Sequence, residues 1–498
     1  MQEPQAYVIG IDIGTGSVKA VAVKANGEAI DAVQTHYPSA ATDESEQDVF
    51  AVYTAFKQCL SEIAGRQTNA PQAVCLSAAM HSILAVDEKG APLMKALLWS
   101  DTRSSEIAQS LRHSDEGKRI YKATGTPLHA MSPLCKIRWL KEFKPELFKN
   151  AYKFISVKEF IWQQLFGEYA VDYSIASATG LFNIYSLQWH EEALFFAGIS
   201  SERLSLPVST THKKKGLLSD VAKNLNIPIN TIFYMGASDG CLANLGSGCF
   251  DASVAAITIG TSAAVRITSP SPIVDEERMI FNYLLDEKTF VCGGATNNGG
   301  NTVEWAVEKF APQNKEKKIF EEAFRAIENV PAGSKDLLFL PYLHGERAPI
   351  WDEKSYGVYF GVKSVHDKNC FLRAAMEGVC YSLFDVLSSL EKNLPTVGEI
   401  KLSGGVAKAK AFVQILADVI GRKILTEDAG DASAIGAAYL ALKELNAASD
   451  YAFLYQAKRD ATEPIKENAE VYHKLFAVYK GLYPSLKEAM HTLHQYTH

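Results

Sequence analysis

The stretch "YVIGIDIGTGSVKAVAV", Tyr7 to Val23, sets an aspartate, a lysine and two hydroxyl residues around a glycine turn. Gly14 and Gly16 allow a tight turn whose backbone N–H groups stand free of any Cβ. Thr15 and Ser17 add hydroxyl donors, and concavities of this kind bind phosphate. Asp12 closes an apolar strand, where a carboxylate is costly unless it meets a cation or hydrogen bonds. Mg2+, reached through water, would supply that cation. Lys19 is long enough to reach a terminal phosphate. No GxxxxGKS or GxxxxGKT loop is present, and the dinucleotide fingerprint lacks its third glycine. The plain alternative is a hairpin with no ligand.

A second stretch, "ASVAAITIGTSAAVRIT" from Ala252 to Thr268, repeats the pattern. "IDIGTGSVKA" and "ITIGTSAAVR" share Ile, Ile, Gly and Thr when laid over each other, at an offset of 246 residues in a chain of 498. Half-chain spacing implies a duplicated domain, with residues 1–250 in one copy and 251–498 in the other. Two such hairpins across a cleft would hold the phosphates of one nucleotide from both sides. Only the first carries an acid and a lysine; the second has Thr258 at the place of Asp12.

The elements that must position these residues alternate strand and helix. Residues 7–13 and 17–24 read as a hairpin, 48–64 as a helix capped by Asp48, and 73–80 and 82–87 as strands. Residues 132–143 and 157–166 read as helices, and "TIFYMGASDG" (231–240) as a buried strand ending in a small-residue loop. A long helix is expected at 370–391 and a helical tail from about Pro464. The length exceeds one core, and 47% hydrophobic with 21% charged residues describes an ordinary globular chain. A net charge of −7 argues against a nucleic-acid or anionic-membrane surface, though not against a local cationic pocket. The eight cysteines form no CxxC pair and no cluster with histidine, so metal-site spacing is absent and reduced core thiols are expected. No apolar run reaches the ~18 residues of a membrane span, and no leader is read in "MQEPQ". The expected setting is cytoplasmic.

The paired hairpins resemble the actin-like ATPase fold shared by sugar kinases, actin and heat-shock chaperone ATPases. "MSPLCKIRWLKE" (131–142) and "YGVYFGVKSVHDKNCFLRAAMEG" (356–378) resemble the two signatures of the FGGY family of carbohydrate kinases. Cys370 departs from the polar residue usual in the second. "MHS" (80–82) with "WSDTR" (99–103) resembles the sugar-site region of the family's branches that act on gluconate and xylulose, and "PYLHGERAPIWD" (341–352) and "SGGVAKAKAFVQILAD" (403–418) are similar to the gluconate branch. The implied fold is α/β, two actin-like (ribonuclease H-like) domains from an internal duplication with a cleft between them. The implied cofactors are ATP and Mg2+, and the implied partner is a small sugar or sugar acid. A homodimer is compatible with the resemblance.

The resemblance also implies roles. Asp239, in "GASDG", falls on the family's catalytic base, though an aspartate capping the next helix would read the same way. Asp12 is implied at the metal, and Gly14, Thr15, Gly16 and Lys19 at phosphate, where Lys19 replaces a frequent arginine. Gly260 and Thr261 are implied at the other phosphates, and Gly300, Glu304, Gly405 and Ala409 at the nucleoside. Ala409 stands where some relatives have a polar residue. Met80, His81, Trp99 and Asp239 are the acceptor-side candidates. A lone histidine such as His81 is otherwise a satisfied structural residue. Arg103 and Arg347 read as solvated or structural, with a substrate carboxylate as their alternative partner. Gluconate is the leading acceptor, then xylulose, then glycerol. The different-class alternative is an actin-like ATPase with water as acceptor, and Thr258 lacks the acid such hydrolases use there.

Overall fold

The computed structural model describes residues 6–38, 45–275, 280–310, 319–392, 394, 397–426, 430–455 and 460–497. Its contacts group the chain into two units. Unit 1 comprises Met1–Phe250, Thr268–Cys292 and Asp431–Gln456; unit 2 comprises Asp251–Ile267, Gly293–Gly430 and Ala457–His498. The first break falls at residue 250, but two later segments return to unit 1, so the units are not the two halves produced by one cut.

The return of the second segment has a steric cause. The helix Ala432–Glu444 reads "ASAIGAAYLALKE", and its small residues let backbones touch. A Cβ on Gly10 would collide with the Ala434 carbonyl, one on Gly246 with that of Ala432, and one on Gly436 with that of Leu242. Only glycine permits such approach.

The sheet of unit 1 runs Lys213–Lys214, Ile232–Ser238, Ala73–Ala78, Tyr7–Ile13, Ser17–Lys24, Ala29–His36. The three strands Ile232–Ser238, Ala73–Ala78 and Tyr7–Ile13 are mutually parallel, and the hairpin strands are antiparallel. The helix Val49–Gly65 buries Val52, Phe56, Leu60 and Ile63 against Ile9, Ile11 and Leu76. Asp48 caps it by accepting from the Phe50 amide at 2.9 Å. In register, Ile13 pairs with Ala78, and Ala78 with Ser238. The Gly14 turn, the Ala79–His81 loop and the helix Asp239–Gly246 therefore leave adjacent strand ends side by side.

The centre of unit 2's sheet repeats these relations. Ala263–Ser269 is antiparallel to Val254–Ile259, which is parallel to Glu399–Gly404, itself parallel to Ile424–Thr426. One difference separates the hairpins. The first pairs Ile13 with Val18 and Asp12 with Lys19; the second pairs Ile259 with Ala263 and Thr258 with Ala264. The second turn is one residue shorter, so the counterpart of Lys19 is Ala264 and not Val265, which an ungapped overlay puts there.

The chain ends in the helix Lys466–Thr497. All eight cysteines are buried thiols outside any disulfide. Among the described residues, no helix is long and apolar enough to cross a membrane.

Candidate active site

In unit 1, Asp12 sits where three parallel strands end, the usual ligand side of such a sheet. Ser77, its register partner on Ala73–Ala78, donates from Oγ to Asp12 Oδ1 at 2.7 Å. Burial pushes the Asp12 carboxyl above its ordinary range, opposed by Ser77, Lys19 and Lys158. A carboxylate so placed fits a cation. Lys19 stands opposite Asp12 across the hairpin and forms an ion pair with Asp431, at the start of Ala432–Glu444.

The turn between them has its carbonyls engaged. Tyr37 Oη donates to the Gly14 carbonyl at 2.8 Å, Gln47 Nε2 to that of Thr15 at 2.8 Å, and the Tyr37 amide to that of Gly16 at 3.1 Å. Among the described residues the Thr15 and Gly16 amides donate to no protein acceptor. A Cβ on Gly16 would meet nothing within 4 Å. The protein itself leaves that face open.

Asp239 opens the helix Asp239–Gly246 directly, so no loop follows the strand. The cap is Ser238, whose side chain accepts from the Cys241 amide. Asp239 Oδ1 accepts from the Gly240 amide at 2.6 Å. Just upstream the strand slips register between Tyr234 and Ala237. Gly236 sits there at φ 68°, where a Cβ would collide with the Leu76 carbonyl. The bulge is held by buried Lys158, which donates to the Ala237 carbonyl at 3.0 Å and to Asp172 Oδ2 at 2.8 Å.

Met80 and His81 follow the Ala73–Ala78 strand. The His81 ring is bonded at both nitrogens: Nδ1 donates to the Ala178 carbonyl at 2.9 Å, and Nε2 accepts from Tyr283 Oη at 3.3 Å. His81 thus has the bonds of a structural histidine in addition to any ligand role. Trp99 is half-buried just beyond Ala96–Leu97. Arg103 is an ion-pair residue, with Nε 2.6 Å from Asp101 and Nη2 2.8 Å from Glu46.

In unit 2, Gly260, Thr261, Gly300, Glu304, Gly405 and Ala409 line one pocket of about 510 Å³, a size suited to a small ligand. The start of the helix Gly300–Phe310 is stitched to the second turn: the Gly300 amide donates to the Gly260 carbonyl at 2.8 Å, and that of Asn301 to Thr261 at 3.1 Å. A Cβ on Gly300 would lie 2.5 Å from the Gly260 carbonyl, so the fold requires that glycine. Gly405 is different, since a Cβ there meets nothing within 4 Å. Its neighbour Gly404, at φ 103°, abuts the Ile259 carbonyl. Sequence reading missed Phe320, Phe324 and Lys408 in the lining; the signal was the i,i+4 aromatic spacing in "IFEEAF".

Thr258 occupies in unit 2 the place of Asp12. Its Oγ1 accepts from Ser403 at 3.1 Å, and Ser403 is its register partner as Ser77 is that of Asp12. Arg347 is buried and donates to the Thr296 carbonyl at 3.1 Å. The adjacent Glu346 carboxylate accepts from Thr296 Oγ1, Asn298 Nδ2 and the amides of Asn297 and Arg347, which fixes the approach to Gly300.

A six-stranded mixed sheet with a charged strand-end turn in unit 1, and a second copy of that hairpin beside a pocket in unit 2, belong to a two-domain α/β kinase fold. Residues 7–246 match the N-terminal domain of the FGGY family of carbohydrate kinases, and residues 255–445 match its C-terminal domain. The chain belongs to that family: it is a sugar kinase, with ATP as phosphate donor. It is 36% identical over 493 residues to a gluconokinase of Bacillus subtilis (strain 168), covering 96% of this chain and 95% of that one. A solved gluconate kinase from Lactobacillus acidophilus superposes with a TM-score of 0.93 at 31% identity, over 98% of this chain and 100% of that one. A xylulose kinase solved from the same organism gives the same TM-score, identity and coverage.

Proposed function

We propose that the enzyme transfers the γ-phosphoryl group of ATP to D-gluconate, giving 6-phosphogluconate. The observation that carries this is the 36% identity to gluconokinase along 96% of the chain. D-xylulose is the second reading, supported by the equal likeness to the two Lactobacillus acidophilus structures.

In the proposed mechanism the substrate hydroxyl gives its proton to an Asp239 carboxylate oxygen as its own oxygen bonds to the γ-phosphorus and the bond to ADP breaks. The Gly240 amide, bonded to Asp239 Oδ1, orients that carboxylate. The pocket of Gly260, Gly300, Glu304 and Gly405 takes the nucleoside and its inner phosphates. The open Thr15 and Gly16 amides and Lys19 meet phosphate oxygens, for which Lys19 would exchange Asp431. Asp12 would hold Mg2+ through water. Among the described residues no group of three or more candidate metal ligands forms, and a partly accessible carboxylate such as Asp12 suits an ion that keeps its waters and takes its other ligands from phosphate; the ion would neutralise charge on the phosphate oxygens. The absence of an acid at Thr258 favours a sugar over water as acceptor. The proposed setting is the cytoplasm, with no nucleic-acid partner, supported by the net charge of −7 and the buried thiols.

Coupled ADP release measured over gluconate, xylulose, ribulose, glycerol and fuculose tests this reading. Gluconate should give the highest kcat/KM. A higher value for xylulose selects the second reading, and equal ADP release without any acceptor rejects the kinase mechanism.

A further inference from the structure

The helix Pro133–Phe143 carries most of "MSPLCKIRWLKE", a segment to which the mechanism gives no task. Its Lys136 is fully buried, and its ammonium donates to two main-chain carbonyls: His81 at 2.9 Å and Leu98 at 2.5 Å. The first carbonyl belongs to the Met80–His81 loop, and the second directly precedes Trp99. The stems of these loops are already joined by reciprocal bonds between Ile83 and Leu97. Lys136 extends that join to the loop tips.

An ammonium in this position is costly. Burial pushes it down to about 7, with the nearby Asp101 acting against the shift and Arg103 with it. An apolar side chain of similar volume would fill the space at no such cost. What the lysine adds is two fixed donors. His81 also needs fixing, because its backbone sits at φ 66°, a region sparsely used by residues other than glycine and held only where the surroundings determine it. Ala178 and Tyr283 hold its ring, and Lys136 holds its carbonyl.

We propose that Lys136 is a positioning residue for the acceptor: it ties the Met80–His81 loop to the Trp99 loop and thereby sets the acceptor KM without touching the nucleotide. This rests on the reading that these two loops meet the sugar.

The full-length Lys136→Met and Lys136→Gln variants test it by two readouts. One is KM and kcat for gluconate and for ATP; the other is amide hydrogen exchange in residues 79–83 and 97–101 against 260–262. Lys136→Met should raise the acceptor KM about tenfold or more, leave the ATP KM within about twofold, and speed exchange in the two loops alone. Lys136→Gln, which keeps N–H donors without charge, should fall between it and the wild type, and carries the test should the methionine variant fail to fold. Unchanged loop exchange overturns the tie itself. Faster loop exchange with an unchanged acceptor KM overturns the proposal through the acceptor reading on which it rests. Faster exchange everywhere with both KM values unchanged marks general destabilisation and also overturns it.

Discussion

At the end of its first strand unit 1 carries Asp12, bonded to Ser77 on the neighbouring parallel strand and facing Lys19 across the hairpin. At the matching place unit 2 carries Thr258, bonded to Ser403 on its own parallel neighbour and facing Ala264. The frame is repeated down to the serine; the charges are not. The strand beyond Ser77 leads to Met80 and His81, whereas the strand beyond Ser403 leads to Gly405 and the pocket wall. The same hairpin frame thus carries different groups: unit 1 sets an acid and a lysine opposite each other, and unit 2 sets two neutral residues there, with Arg266 donating to Thr258 Oγ1 at 3.4 Å.

The charge difference is the first thing to break. Asp12→Asn should lower kcat by about 10²–10³-fold, the scale of losing one preorganised electrostatic group. Steady-state kinetics at saturating ATP and acceptor measure it; a loss below tenfold removes Asp12 from the phosphate chemistry.

The backbone difference comes next. Gly405 has open space where a Cβ would stand, whereas Gly300 has the Gly260 carbonyl at 2.5 Å. Gly405→Val should fold with an unchanged melting temperature and raise the ATP KM about 5- to 100-fold, the cost of overfilling a fitted site. Gly300→Ala should instead lower the melting temperature, since the neighbouring backbone must move. Thermal melts alongside ATP kinetics separate the two, and equal effects at both positions would erase the distinction between ligand-facing and fold-required glycine.

Much of this comparison was legible in the sequence. The hairpin strands of unit 1 lie where alternation and glycine put them, and Asp48 caps its helix as its position suggests. The residues 260, 261, 300, 304, 405 and 409 share one pocket although far apart in the chain. The remainder depended on contacts that no local pattern announces. The one-residue difference between the turns shows only in strand register. The pairing of Lys19 with Asp431, the return of Ala432–Glu444 to unit 1, and the buried grips of Lys136 and Lys158 on backbone carbonyls all join residues distant in sequence. Gly236 looked like one more small residue in "YMGASDG", and only the bulge it permits gives it a role beside Asp239.

The smallest expected effect concerns stability. Burial raises the Asp12 carboxyl pKa in the folded chain. Its protonated form is therefore favoured by folding, and the associated stability is lost as pH rises through the folded value. At pH 7 without ligands, Asp12→Asn should melt about 1–2 °C higher than the wild type. Below the unfolded value of about 3.9 that advantage should vanish. Thr258 carries no such charge, so Thr258→Val should show no pH-dependent gain. Melting curves from about pH 3 to 8 measure both variants, and a lower melting temperature for Asp12→Asn at pH 7 contradicts the sign.

Asp239 is proposed to take the proton of a sugar hydroxyl while other residues, the pocket of Gly260, Gly300, Glu304 and Gly405 with the first turn's amides and Lys19, hold the nucleotide. The most direct measurement compares Asp239→Asn with the wild type in ATP affinity and in gluconate-dependent ADP release. The account predicts ATP affinity within about twofold and a turnover reduced by about 10²–10⁴-fold, the range for removing a positioned base. Near-normal turnover in that variant would contradict it.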